Sequence, residues 1–388
     1  MAKSIPALIT PEVLAWARTL DSISVGEIAA KLKVETSIIQ DWESGGSNPT
    51  IKQAKELAKL YRVPFAYFYL PDIPKKVKRI EKTDYRTFGN IGDSFVMSRE
   101  LRWLLRDVEE RREAMLSLYE EERTVVSFPL KLHNDAKEAE IVAAIRNLLG
   151  LTPQKQITFR KPEVALAHCI SMLENYDVLV FQATKIDTNE MRGMSMAYDE
   201  MPIIVLNRKD EPSARLFSLC HELAHIVTRT SGICNDFSTT SQNQIEWELA
   251  CNRIAGKVLV PIELLAMHKS IQSIRQYGFD DSYVMTMARD YAVSKEVIIH
   301  ALWDMKIITK QMYFDTLNRY SEEYKQFASH KKKGFLPPAT DVVSQVGKLY
   351  ARTVLGAFYS ERISARDTSG YLLNLKVKHF QQLERRCY

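Results

Sequence analysis

Residues 221–225, His-Glu-Leu-Ala-His, constrain this 388-residue chain more than any other stretch. The pattern H-E-x-x-H has chemical meaning on a helix. Positions i and i+4 share one helical face, so His221 and His225 can grip the same ion. Glu222 sits beside them, placed to take a proton from a water that the metal activates. The bland alternative is a chance match on a partly polar helix. Against it, two of only eight histidines fall in the pattern. Leu216, Phe217, Leu219, Leu223, Ile226 and Val227 also supply an apolar helix body around it.

Two histidines do not complete a site. A catalytic zinc usually takes three protein ligands and keeps the fourth position for water. Downstream, Ile245 to Pro261 reads as a helix broken by its proline. It offers Glu246 and Glu248, which lie about 200° apart around a helix and cannot share a face. Glu248 shares its face with Cys251, Asn252, Ala255 and Leu259. Small residues there permit a close approach to the motif helix, so Glu248 is the expected third ligand. Upstream, Val178–Phe181, Gly193–Tyr198 and Pro202–Asn207 read as three short strands, a small sheet laid against the motif helix. The strand just before the motif is expected to offer an edge on which an extended substrate peptide pairs.

The first seventy residues have a different character. Pro11 to Leu20 reads as a helix, and Ser24-Val25-Gly26-Glu27 opens the next as a capping box. Thr36 is expected to cap a third helix, Ser37 to Ser44, which Gly45-Gly46 stops. A fourth follows Asn48-Pro49-Thr50, and Val63-Pro64-Phe65 begins a short fifth. Val25–Leu32 and Ser37–Ser44, joined by a short turn, make a helix-turn-helix. In such a unit the start of the second helix enters the major groove of double-stranded DNA. Thr36, Ser37 and Gln40 would then face base edges or phosphates, and Lys31, Lys33 and Lys52 would meet phosphates. The alternative is a helical bundle that docks on protein. It draws on the absence of arginine near the second helix and on Asp41 and Glu43, which repel phosphate.

Bulk properties fit both segments. The length allows two or three domains. A hydrophobic fraction of 46% and a charged fraction of 26% are those of a globular protein. The net charge of +5 is concentrated at the start, where residues 1–80 hold 12 Lys+Arg against 8 Asp+Glu. Cys169, Cys220, Cys234, Cys251 and Cys387 are odd in number and lack C-x-x-C spacing. That argues against a disulfide framework and for a reducing compartment. No signal sequence opens the chain, and no apolar run approaches the ~20 residues of a membrane span. A soluble, cytoplasmic protein with no membrane partner is expected.

Two resemblances emerge from these residues. Ser24-Val25-Gly26-Glu27-Ile28-Ala29-Ala30-Lys31-Leu32 with Ile39-Gln40-Asp41-Trp42-Glu43-Ser44-Gly45 resembles the Xre (phage repressor-like) DNA-binding family over about residues 7–70. Ile203–Asn207, Arg215–His225 and Glu248–Pro261 together resemble the ImmA/IrrE family of zinc metallopeptidases over about residues 160–310. That resemblance implies a zincin-like fold with His221, His225 and Glu248 as zinc ligands and Glu222 as catalytic acid/base. Members commonly pair this domain with an Xre domain. Several cleave or otherwise remove a DNA-bound repressor and so switch on mobile-element or stress genes. The departures are mild: Cys251 stands where alanine is also common, and Ile254 where an aromatic is frequent.

The expected fold is therefore α+β and mostly helical, in four segments. A helix-turn-helix unit spans 7–74, and a linker with a long helix spans 75–135. A peptidase domain spans 136–315, and a helical C-terminal region spans 335–388. The linker holds the basic run Lys75–Arg79, a connector at Asp84–Gly89, and a helix from Ser98 to about Arg123. That helix is expected to pack on the catalytic domain or to pair with a second subunit in a homodimer. Ser282–Tyr291 and Ser294–Lys306 form a helix pair, expected to be a helical extension closing the peptidase domain, though it also mimics a second helix-turn-helix. After a loop at His330–Gly334, Asp341–Ser360 reads as one amphipathic helix, Ile363-Ser364 caps another, and Asn374–Leu383 gives the last. The tail is a candidate surface for a toxin or other protein partner. Candidates for an extra oxyanion donor are Arg215, Tyr198, His268 and Tyr283, with His268 expected to be an ordinary surface residue.

The function expected is that of a zinc-dependent endopeptidase, a peptide-bond hydrolase coupled to a DNA-binding domain, acting on a regulatory protein such as a transcriptional repressor. The rival is a non-proteolytic transcriptional regulator or antitoxin that uses the zincin fold for sensing or partner binding. An intact Glu222 favours the enzyme, because a pure binding module has no need of it.

Overall fold

The computed structural model describes residues 5–21, 23–74, 97–120, 127–130, 132, 136–230, 241–328 and 336–388. Lys75–Arg79, Asp84–Gly89, His330–Gly334 and Cys234 lie outside the described residues. The chain divides into two units, Met1–Asp84 with Val96–Asp107, and Tyr85–Phe95 with Val108–Tyr388.

The first unit holds α1 (Pro11–Leu20), α2 (Val25–Leu32), α3 (Thr36–Ser44), α4 (Ile51–Leu60) and a 3-10 turn at Phe65–Tyr69. The opening turns of α5 (Arg99–Glu120) complete it. Ser24 and Glu27 form the expected capping box on α2, and Thr50 with Gln53 forms a second on α4. Lys33 takes left-handed backbone angles to turn α2 into α3, and Gly45 (φ 82°) ends α3. Thr36 is not the cap that its residue type suggested. It is the first helical residue of α3, and Glu35 stands at the N-cap without a side-chain bond. Leu14, Ile28, Ile39, Trp42, Leu57 and Phe68 fill the core.

Two partly buried ionic contacts hold this bundle. Arg18 on α1 forks onto Glu43 of α3 at 2.6 and 2.8 Å and also donates to the Ile23 carbonyl. Glu43 is thus neutralised inside the bundle and does not face a ligand as an open repulsive charge. Asp21, sealed from solvent, accepts from Trp103 Nε1 at 2.6 Å and Arg106 Nη2 at 2.7 Å.

The second unit opens with the rest of α5, then α6 (Glu138–Leu148), α7 (Pro153–Phe159) and α8 (Pro162–Glu174). Strands β1 (Leu179–Ala183), β2 (Gly193–Met196) and β3 (Ile203–Asn207) follow. After them come α9 (Pro212–Thr230), α10 (Ser241–Leu259), α11 (Ile262–Ala266), α12 (Lys269–Tyr277), α13 (Asp281–Tyr291) and α14 (Lys295–Asp304). The tail comprises α15 (Lys310–Ala328), α16 (Pro338–Val346), α17 (Lys348–Tyr359), α18 (Ala365–Tyr371) and α19 (Phe380–Cys387). The apolar side of α5, with Leu101, Leu105, Val108, Met115 and Leu118, is buried within the chain itself.

The sheet has the order β1-β3-β2, with β3 parallel to β1 and antiparallel to β2. This corrects the expected substrate edge. The strand preceding the motif is central, with all five residues buried. Its continuous apolar run fits a strand covered on both faces. Of the two outer strands, β2 lies along α9, whereas α16 packs against β1.

The tail departs from expectation in two places. Asp341–Ser360 is two helices, parted at Gly347 with φ 80° and ψ 162°. A Cβ at Gly347 would lie 2.6 Å from Glu174 Oε1 and 3.0 Å from the Val180 carbonyl. The buried Glu174 carboxylate needs that gap, because it accepts from the Lys348 and Leu349 amides at the start of α17. The last helix begins at Phe380, not at Asn374, since Leu373 and Asn374 hold positive φ angles that a right-handed helix excludes.

Candidate metal centre

Helix α9 carries His221 and His225 one turn apart, both buried, with their Nε2 atoms 3.1 Å from each other. Helix α10 packs directly on α9 and brings Glu248 to the pair. Its Oε2 lies 3.3 Å from His221 Nε2 and its Oε1 lies 3.4 Å from His225 Nε2. Glu246, two residues earlier, is exposed. Ligands held about 2.0–2.1 Å from a tetrahedral zinc lie about 3.3–3.4 Å from one another. The imidazole nitrogens lie 3.1 Å apart and each has one Glu248 oxygen within 3.4 Å, so two imidazoles and a carboxylate suit such an ion in chemistry and lie near the spacing it needs. Among the described residues, these three form the one group of His, Cys, Asp or Glu side chains close enough to share a metal.

The electrostatics of the cluster suit a cation. Burial works to raise the Glu248 pKa, yet the two imidazoles outweigh it and hold the carboxyl far below its usual range. Burial likewise works to lower the His221 pKa, and Glu248 with Glu222 overcomes it and raises that value. Positive charge is favoured at the point between these groups.

Glu222 is nearly sealed from solvent and held from the sheet side. Ser195 Oγ on β2 donates to Glu222 Oε2 at 2.7 Å. Gly193, also on β2, lets the strand approach α9. A Cβ there would meet Glu222 Oε1 at 3.0 Å and Ser218 Cβ at 3.2 Å. Gly193 and Ser195 lie on the expected strand, yet no local sequence pattern gives them a part in the site. The available signal was a glycine inside a strand, which often marks close approach of another group.

Among the described residues, no strand pairs with the outer side of β2. Asn207 N donates to the Arg192 carbonyl at 2.8 Å, which sets the phase of the β2–β3 ladder. Antiparallel pairs alternate, so Gly193 and Ser195 turn their N–H and C=O groups away from β3 toward the outer edge.

The remaining expected residues divide. Arg215 donates to Gln182 on β1. Tyr198 lies under the Arg112 guanidinium, 3.8 Å from ring centre to carbon. His268 corrects the surface expectation, because its Nδ1 caps α12 through the Ser270 amide and its Nε2 faces Asp290. Tyr283 packs partly buried against the core. Those contacts tie Arg215, Tyr198 and His268 to groups other than the histidine pair. In the first unit, Thr36, Ser37 and Gln40 on α3 are exposed, as are Lys31, Lys33 and Lys52.

A helix-turn-helix bundle, and separately a mixed sheet with an H-E-x-x-H helix and a carboxylate from the next helix, define a protein that joins a DNA-binding fold to a metallopeptidase-like one. Comparison with known families agrees. Residues 14–68 match the helix-turn-helix family, and residues 174–302 match the M78 peptidase family, described as the IrrE N-terminal-like domain. These two segments are a helix-turn-helix domain and an IrrE-like peptidase-family domain. No curated protein matches the chain.

Proposed function

We propose that this protein is a zinc-dependent endopeptidase that works in the cytoplasm on a DNA-associated regulatory protein, such as a transcriptional repressor. The observation that carries the reading is the buried Glu222, hydrogen-bonded by Ser195 beside His221, His225 and Glu248. A site built only to bind metal has no use for a second, separately held carboxylate.

His221, His225 and Glu248 would hold the ion. Zinc, when bound, supplies a Lewis acid that polarises a carbonyl and makes a water acidic near neutral pH. Glu222 is the proton carrier. It accepts the proton from the attacking water and delivers it to the leaving amine nitrogen. Ser195 keeps one carboxylate oxygen engaged, which fixes the direction of the other. The backbone groups of Gly193 and Ser195 would pair with an extended peptide and lay its scissile bond along the site.

The helix-turn-helix domain supports an address on double-stranded DNA. Gln40 is suited to adenine, with Thr36 and Ser37 beside it, and Lys31, Lys33 and Lys52 to phosphates. The engagement of Glu43 by Arg18 removes one of the two charges that argued against DNA.

The test is zinc analysis of the purified chain, followed by incubation of wild type and Glu222→Gln with repressor proteins encoded nearby. Wild type should contain zinc and cut one of them. Glu222→Gln should retain zinc and lose activity by about a hundredfold or more. Equal function of the two proteins, with no cleavage by either, would favour the non-proteolytic regulator.

A further inference from the structure

A histidine that binds metal through Nε2 carries its proton on Nδ1, and that proton needs an acceptor. His221 and His225 are buried, so bulk water cannot serve. The acceptors must come from the protein, and α10 presents two candidates one turn beyond Glu248.

Cys251 Sγ lies 3.7 Å from His225 Nδ1. Asn252, the next residue, has a side-chain oxygen hidden from solvent that makes no hydrogen bond of its own. It stands one turn from Glu248 on the helix that packs on α9, and its amide is near enough to His221 to favour the protonated ring without meeting it in hydrogen-bond geometry. A buried carbonyl oxygen without a donor is unfavourable and calls for an explanation. A free imidazole can place its proton on either nitrogen. Engagement of Nε2 by a metal ion removes that choice and leaves an N–H on the other side of the ring.

We propose that Asn252 is a positioning residue for the metal centre, its Oδ1 accepting the Nδ1 proton of His221 and so holding Nε2 toward the ion. Cys251 does the same for His225 with the weaker acceptor, sulfur. One helix then supplies the third ligand and both groups behind the histidines. The residues at i, i+3 and i+4 from Glu248 act as a unit. The inference rests on the metal-binding reading above.

The experiment uses the full chain and Zn2+ alone, with affinity read by competition against a chelating dye. Asn252→Ala should weaken Zn2+ binding by about 10- to 100-fold, and Asn252→Asp, which keeps the acceptor, should stay within about threefold of wild type. Cys251→Ala should have the smaller effect. The visible absorption bands of the Co2+-loaded protein should shift for Asn252→Ala and not for Asn252→Asp. Circular dichroism of the apo proteins identifies misfolding. If Asn252→Ala misfolds, Asn252→Thr fills the space without reaching the ring and carries the same test. Wild-type affinity and spectrum in a folded Asn252→Ala overturn the proposal. Failure of wild type to bind Zn2+, or binding unaffected by His221→Ala, overturns the metal reading and the proposal with it.

Discussion

Ser195 shows how a side chain with no motif can matter to the chemistry. Its hydroxyl reaches Glu222 across 27 positions of sequence, so no local pattern reveals it. A hydrogen bond to a charged group is worth about 1.5–3 kcal/mol. Ser195→Ala is therefore expected to lower kcat about tenfold or more while KM and zinc content hold. Ser195→Thr, which retains the hydroxyl, should recover much of the loss. Steady-state kinetics on the cleaved substrate check this, and an unchanged kcat in Ser195→Ala would remove Ser195 from the site. His221, Glu222 and His225 were legible because their relation is local, three residues within five positions of one helix. Glu248 was legible for a related reason: helical spacing separates it from Glu246, whatever the rest of the chain does.

Helices were found where capping and periodicity agree, and misplaced where a distant contact overrides them. Ser24, Thr50 and Ser294 cap helices by bonds within three residues of themselves. Gly347 parts α16 from α17 for the sake of Glu174, which is 174 residues from Lys348. Helix α10, which carries Glu248, is tied to α6 by another long-range contact. Glu138, in the first turn of α6, meets Lys257 at 2.6 Å and Arg253 at 3.2 Å near the end of α10. Burial works to raise the Glu138 pKa, but Lys257 and Arg253 prevail and lower it below 4.5. A depressed folded-state pKa adds stability above the ordinary carboxylate value, and that stability is lost as pH falls through the depressed one. The partners are partly exposed, so Glu138→Gln should cost only about 0.2–1 kcal/mol near neutral pH. In acid below the folded-state pKa the two proteins should converge. Denaturant unfolding at the two pH values checks it, and a gap that widened in acid would contradict the assignment.

The C-terminal helices are built into the second unit. Helix α16 covers β1, Arg208 pairs with Asp341 at 2.7 Å, and Glu174 depends on α17 for its donors. A chain ending at Gly334 would leave a buried carboxylate without partners and an apolar strand uncovered. Its unit should lose at least about 3 kcal/mol and unfold at lower temperature. Calorimetry of full-length and shortened chains decides this, and coincident transitions would mean the tail is an independent appendage. Sequence patterns were enough to point to a helix-turn-helix bundle, a helix that carries two histidines on one face, and the carboxylate of the next helix that meets them. Each of these is written in periods of a few residues, and helix geometry converts such periods directly into shared faces. Patterns could not reveal that β3 is central and β2 the open edge, that Arg18 neutralises Glu43, or that Ser195 and Gly193 close on Glu222. Those relations join residues that only packing brings together, through distances and burial that no spacing along the chain encodes.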